Sequence, residues 1–328
     1  MNLLLTGAFG NIGRSTLIAL MARPEPVHLR CFDTPTPANR AAAHAFRRRY
    51  PNRLEVQWGD LRRLTDLEAA VEGIDAAIHL GFVIPRLSAT GVNSEDRPDW
   101  AREVNVGGTA NLITALQHEA ERARPFTPRL IFASSLHVYG KTQHLPPPRT
   151  PQEIPHPVEH YAIHKIEAEG LVRASGLPWA ILRLAAALPI RLILDPGMFD
   201  VPLANRIEFI HTRDAGQAFA AAPFCRGIWG KTLLIGGGPR CQLYYHQMME
   251  QVLRAAGIGP LPPSAFAQEP YATDWLDTRE SQALLGYQQR TFADYVADLR
   301  KRLIALRPFI FLFRPYIRRW LLAQSPYA

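Results

Sequence analysis

The sequence predicts an α/β chain built on a doubly wound parallel sheet, and three observations carry that expectation. Short apolar runs alternate with helical stretches from residue 2 to residue 184, an order that right-handed crossovers convert into parallel strands covered by helices on both faces. The length of 328 residues buries a large core and leaves chain for a second lobe. A glycine-rich stretch, TGAFGNIG at residues 6–13, falls between the first apolar run and the first helical one.

Residues 2–5 read as a buried strand. Residues 11–22 read as a helix with Ile12, Thr16, Leu17 and Leu20 on one side. Strands are expected at 27–32 (ending at Asp33), 54–58, 76–80, 130–133 and 179–184. Helices are expected at 65–71, 104–116 and 161–174. The proline-crowded stretch 145–157 is an irregular loop. Beyond residue 185 the alternation loosens: 189–205 reads as an irregular lobe, 209–210 and 232–235 as strands, and 244–256, 279–285 and 292–305 as helices. The expected organisation is a doubly wound domain over 1–188, with a strand and helix at 207–222 returning to it, a small lobe over 189–206 and 236–300, and a basic apolar tail over 301–328.

Composition narrows the function. With 47% hydrophobic and 20% charged residues the chain is that of a soluble globular protein. Its net charge of +8 suggests a polyanion partner until its distribution is read. Arg300, Lys301, Arg302, Arg307, Arg314, Arg318 and Arg319 follow one another without a single Asp or Glu between residue 299 and the end. The body is close to neutral, and a nucleic-acid partner is not expected. Cys31, Cys225 and Cys241 read as reduced thiols of a cytoplasmic protein, and no secretory signal is read at the start. His79, His160, His164 and His211 lack metal spacing, so no metal is expected.

Three constellations carry chemistry. In the first, Gly7, Gly10 and Gly13 permit a tight turn and a close backbone approach to a pyrophosphate, which the following helix N-terminus attracts. Asp33, 20 residues beyond Gly13, is placed to accept from ribose hydroxyls and to repel a 2′-phosphate, favouring NAD over NADP, with Arg40 nearby as the countervailing charge. In the second, Tyr161 and Lys165 stand four residues apart on one helix face. A neighbouring ammonium, together with the positive charge of an oxidised nicotinamide, favours the phenolate, making Tyr161 a usable acid–base group. In the third, Ser134 and Ser135 sit where the fifth strand ends, the edge at which open parallel sheets bind ligands.

In this order the motifs resemble an extended short-chain dehydrogenase/reductase of the NAD-dependent epimerase/dehydratase type, a Rossmann fold with an appended substrate lobe. The resemblance covers residues 1–300. It rests on Thr6, Gly7, Gly10 and Gly13, on Asp33, on Asp60-Leu61, on His79-Leu80-Gly81, on Asn105, Gly108 and Thr109, on Ser135 ahead of Gly140, and on Tyr161 with Lys165. Phe209 to Asp214, Trp275-Leu276-Asp277 and Leu285-Gly286-Tyr287 resemble later motifs of the family. The resemblance implies Ser135, Tyr161 and Lys165 as the catalytic set, with Lys165 also bridging the nicotinamide ribose and lowering the tyrosine pKa. It implies cofactor contacts from Gly7, Gly10, Asn11, Ile12, Gly13, Asp33, Asp60, Leu61, Leu80, Gly81, Asn105 and Ala133, and a homodimer.

Departures narrow the substrate. Leu136 and His137 stand where sugar-nucleotide dehydratases of this type carry an acidic pair, which disfavours dehydration. Ala186 stands where nucleotide-sugar epimerases often carry Asn, and the lobe 189–205 is short for a nucleotide diphosphate. A local likeness to uronate dehydrogenases runs through residues 79–81 and 133–137. The expected reaction is NAD-linked hydride transfer at a secondary alcohol or carbonyl, of a sugar acid or related small molecule. Epimerisation by transient oxidation is the second reading, and a non-catalytic NAD-binding protein the third. His137, Arg86 and Arg206 are the candidate substrate contacts. The tail, LIALRPFIFLFRPYIRRWLL at 303–322, has two readings: an interfacial segment on anionic lipid, or an arm packed on its own domain or a dimer partner.

Overall fold

The computed structural model describes residues 1–85, 91–122 and 127–328. Among them the first part of the chain runs β1 Asn2–Thr6, α1 Asn11–Met21, β2 His28–Asp33, α2 Pro37–Arg49, β3 Leu54–Trp58, α3 Leu64–Val71, β4 Ala76–His79, α4 Pro98–Arg102, α5 Gly108–Glu121, β5 Arg129–Ser135, α6 His160–Ala174 and β6 Trp179–Leu184. The second part runs β7 Arg206–Glu208, α7 Thr212–Ala221, β8 Lys231–Ile235, β9 Gln242–Tyr244, α8 Tyr245–Ala256, α9 Arg279–Leu285, α10 Phe292–Arg302, α11 Arg307–Leu312 and α12 Arg314–Leu322.

Seven strands form one parallel sheet in the order β3-β2-β1-β4-β5-β6-β8. Side chains alternate across a strand, so both faces of these strands must be apolar. Leu3, Leu5, Ile78, Ile131 and Leu182 join a core shared with Leu17 and Leu20 of α1 and Phe219 of α7. Leu4, Ala77, Phe132 and Ile181 turn the other way, against Leu67 of α3, Leu112 and Leu116 of α5, and Val172 of α6. The chain reverses its winding between β1 and β4, and the crevice at their carboxyl ends is where such sheets take a ligand. A separate core, with Phe199, Phe209, Met248, Leu253, Phe292 and Leu299, holds the lobe.

Three elements differ from the expectation. The strand that extends the sheet beyond β6 is β8; the stretch expected at 209–210 makes only an isolated bridge, Phe209 to Ala186, while β7 just before it pairs antiparallel with β9 in the lobe. Helix α7 does return, with Gly216 so close to Ser15 that a Cβ would fall 2.5 Å from the Ser15 carbonyl carbon. The helix expected to begin at 104 opens instead with a π turn, Glu103–Gly107. Helix α2 is the third difference, absent from the expected elements; Thr36 caps it, its side chain accepting from the Asn39 N–H at 3.2 Å, with a proline in the first turn.

Glu208 ties sheet and lobe together. Its buried carboxyl accepts from the Gly238 N–H (3.0 Å), the Leu276 N–H (2.8 Å) and the Gln242 amide (3.0 Å). Burial raises its pKa to about 7 in spite of these bonds. A carboxyl raised on folding favours the folded state fully below its unfolded pKa and loses that contribution as pH climbs through the folded one. Glu208 therefore makes stability fall between about pH 4.5 and 7. Comparing urea unfolding of wild type and Glu208→Gln across this range checks it: the fall is expected to be absent from the variant, whose overall stability is lower.

Candidate active site

The glycine-rich turn has the shape a dinucleotide needs. Gly7 sits at φ +63°, and a Cβ there would lie 2.8 Å from the Gly81 nitrogen; a Cβ on Gly13 would overlap the Gly7 carbonyl oxygen. Gly10 donates its N–H to the Gly7 carbonyl at 3.2 Å. Helix α1 then begins at Asn11 and Ile12 with no side-chain cap and no carboxylate in its first turn, leaving its positive end to a phosphate. Asp33 ends β2 beside this turn. One carboxylate oxygen accepts from the Phe9 N–H (2.9 Å), the other from the Thr34 N–H (2.8 Å) and the Asn39 amide (3.0 Å). Burial raises its pKa against these bonds. Arg40 is turned to the Trp58 ring, 5.4 Å from its centroid.

The floor is built by the end of β4 and the turn beyond it. His79 is buried between the Thr6 hydroxyl (2.7 Å) and the Thr109 hydroxyl (3.1 Å), and burial lowers its pKa to about 3, so it is a neutral spacer. Gly81 donates to the Thr6 hydroxyl at 3.1 Å. Leu61 fills the space above Gly81 and Gly108, where Cβ atoms would come within 3.1 and 2.7 Å of it. Leu80 is half-buried beside them. Asp60 is paired with Arg62 at 2.6 Å, which holds its carboxyl below the usual range. Asn105, expected as a cofactor contact, lies in the π turn and is fully buried, where it accepts from the Val83 N–H (2.6 Å) and donates to the Val83 carbonyl (3.0 Å).

At the end of β5 the expected set comes together. Tyr161 lies beside Ser135, whose hydroxyl acts to lower the phenol pKa and whose Oγ accepts from the His137 N–H at 3.2 Å. Lys165 is buried, donates to the Ala133 carbonyl at 2.6 Å and lies 3.4 Å above the Phe82 ring centroid. Burial drives its pKa well below the ordinary value. The groups of the chain itself do not lower the tyrosine pKa. Burial pushes Tyr161 up to about 12, the Ser135 hydroxyl opposes this, and the Glu159 charge adds to it. Lys165 stands 5.7 Å from the phenol ring centroid and is turned to Ala133. Ser134 faces away, donating to the buried Glu169 at 2.6 Å.

His137 lies beside the tyrosine. Its Nδ1 is 2.9 Å from Glu159, and its ring meets those of Tyr161 and Tyr271 edge-on at 6.1 and 5.8 Å. Glu159, Phe82 and Tyr271 were not found from the sequence. Glu159 is visible there only as the residue before a helix, and Tyr271 belongs to no motif. Arg206 is corrected: Asp274 binds its guanidinium at 2.7 Å, and the Thr142, Gln143 and Leu145 carbonyls accept from it. Arg206→Ala is accordingly expected to lower stability by about 2 kcal/mol, seen in urea unfolding, with KM unchanged. Arg86 lies outside the described residues. A cleft of about 670 Å³ opens beside Glu159 and Tyr271. Its described lining carries five carboxylates, Glu95, Asp96, Glu159, Asp200 and Glu269, and one cation, Lys141.

Sheet, glycine turn and Ser–Tyr–Lys cluster together define a dinucleotide-binding α/β protein. The chain belongs to the NAD dependent epimerase/dehydratase family, whose model matches residues 3–188. It is 34% identical over 87 residues to GDP-6-deoxy-D-mannose reductase of Pseudomonas aeruginosa, covering 26% of this chain and 27% of that one. To methionine adenosyltransferase 2 subunit beta of Rattus norvegicus it is 34% identical over 90 residues, covering 27% and 24%. The matched segments thus span about a quarter of the length of these relatives. With short-chain dehydrogenase/reductase family 42E member 1 of Macaca fascicularis it shares 30% identity over 246 residues, 67% of this chain and 57% of the relative. The UDP-glucuronic acid 4-epimerase structure from Bacillus cereus shares the fold at a TM-score of 0.74 and 20% identity, covering 93% of this chain and 100% of that one.

Proposed function

We propose that the protein is an NAD-dependent oxidoreductase that acts on an uncharged secondary alcohol or carbonyl. The observation that carries this reading is the Ser135–Tyr161 hydroxyl pair, with Lys165 alongside, at the carboxyl edge of the sheet whose glycine turn fits a pyrophosphate. Bound NAD supplies the hydride acceptor and, when oxidised, a positively charged ring. Gly7, Gly10, Asn11, Ile12 and Gly13 hold the phosphates, Asp33 the adenosine ribose, Asp60 and Leu61 the adenine, and Leu80, Gly81 and Ala133 the nicotinamide side. Ser135 orients the substrate oxygen, and Tyr161 exchanges a proton with it through Oη. His137, held by Glu159, adds a contact to the substrate.

The charge of the cleft selects the substrate. Five described carboxylates against Lys141 disfavour a nucleotide diphosphate or a sugar acid, since like charges placed in a cleft repel. The test is NADH formation across neutral polyols, sterols, aliphatic alcohols, uronates and nucleotide sugars. A neutral substrate is expected to exceed any anionic one in kcat/KM by at least about tenfold. Preference for a uronate overturns the substrate assignment. Conversion of a sugar without net NADH release establishes the epimerase reading instead. The unpaired Cys31, Cys225 and Cys241 support a cytoplasmic setting, and the family resemblance supports a homodimer, which light scattering checks.

A further inference from the structure

Among the described residues no helix is long and apolar enough to cross a membrane, yet the C-terminal arm is two-faced. One face packs on the lobe: Leu303, Ile310 and Leu321 are buried there. Arg314 and Arg318 bind the Ile258 carbonyl at 2.9 and 3.3 Å, and the Ser325 hydroxyl donates to the Ala265 carbonyl at 2.6 Å. The rest of the arm is apolar and open, with Phe309 65%, Phe311 70%, Leu312 70% and Tyr316 74% exposed and Trp320 half exposed. Isolated exposed apolar residues need no explanation, but a contiguous patch does.

We propose that this outer face docks on the surface of a bilayer of anionic lipid. Charge decides the occupant. Arg300, Lys301 and Arg302 at the start of the arm and Arg319 within it are exposed, and no Asp or Glu occurs between residue 299 and the end. A twofold contact with a second copy sets the same patch against itself, opposing like charges. An anionic surface neutralises them while the acyl boundary takes the phenylalanines, with Tyr316 and Trp320 at headgroup level. The arginines divide the work: Arg314 and Arg318 fasten the arm to the lobe, and the exposed cations meet lipid.

The experiment is co-sedimentation of the full chain with vesicles of phosphatidylcholine alone or mixed with phosphatidylglycerol. Binding is expected only to the mixed vesicles and to weaken with salt. Phe309→Ser with Phe311→Ser is expected to weaken partitioning about a hundredfold. Arg300→Glu, Lys301→Glu and Arg302→Glu together are expected to weaken it at least about tenfold. Both variants keep the wild-type thermal midpoint, since the changed side chains are exposed. Equal sedimentation of wild type and variants, or none with the mixed vesicles, overturns the proposal. So does a dimer by light scattering that the phenylalanine variant dissociates, which assigns the face to a second copy. Each outcome is read without a substrate and is independent of the proposed reaction.

Discussion

Tyr161→Phe is expected to lower kcat by about a thousandfold while NAD affinity stays within about twofold of wild type. The substitution removes one oxygen and leaves the ring in place, still edge-on to Phe82 at 5.9 Å and to His137 at 6.1 Å. What is lost is the proton exchanged with the substrate oxygen, an interaction confined to the reacting state, so kcat and kcat/KM fall together. Burial holds the phenol at about 12 in the chain alone, and the groups of the chain do not provide the charge that would bring it down. Lys165 is engaged with Ala133 and Phe82. The pH profile of kcat/KM, which reports groups of the free enzyme, is therefore expected to show no tyrosine limb near neutrality. The profile of kcat is expected to show it at lower pH. Stopped-flow NADH formation and fluorescence titration of NAD check both halves, and an undiminished Tyr161→Phe enzyme refutes the role.

The split between the legible and the illegible comes from range. Gly7 and Gly13 announce themselves through local geometry: Gly7 sits at φ +63°, and a Cβ on Gly13 would overlap the Gly7 carbonyl oxygen. Tyr161 and Lys165 announce themselves because α6 sets four-residue neighbours on one face. The parallel sheet was readable because its inner strands are apolar on both faces, as Leu3, Leu4 and Leu5 show. Contacts made across the fold left no local trace. Asn105 matched a motif, but only the π turn shows that its amide serves Val83. Arg206 read as a candidate substrate contact, and its pairing with Asp274, 68 residues away, left no local trace. Phe209-Ile210 and Thr232 to Ile235 both read as strands because they are equally apolar, and only packing decides that the second pairs with β6 while the first makes an isolated bridge.

The same long-range logic makes Glu169→Ala the most destabilising single change expected, at about 3–5 kcal/mol. Glu169 is fully buried on α6, one turn beyond Lys165, and Arg183 of β6 is 2% exposed. Their two bonds, 2.9 Å from Nε and 2.7 Å from Nη2, form a fork, and Ser134 and Arg173 fill the remaining acceptor positions at 2.6 and 2.7 Å. Arg183 gives its other arm to the Tyr139 hydroxyl at 2.8 Å. Burial acts to raise the Glu169 carboxyl, but the Arg183, Ser134 and Arg173 contacts outweigh it and hold its pKa below the ordinary value. A carboxyl lowered on folding contributes stability above its unfolded pKa and loses it as pH falls through the folded one, so the pair weakens only in acid. Deleting the glutamate leaves a guanidinium in the core with no counter-charge inside it. Deleting both charges, as Glu169→Leu with Arg183→Met, removes that penalty, and the double variant is expected to unfold at a higher urea concentration than Glu169→Ala. The two differ from a simple loss of packing in a second way. Glu169 clamps α6 to Ser134 of β5, the residue next to Ser135, so the clamp fixes the distance from Tyr161 to Ser135. Activity measured well below the unfolding transition is therefore expected to fall at least about tenfold in both variants, in kcat more than in KM, and recovery of full activity by the stable double variant refutes the positioning role.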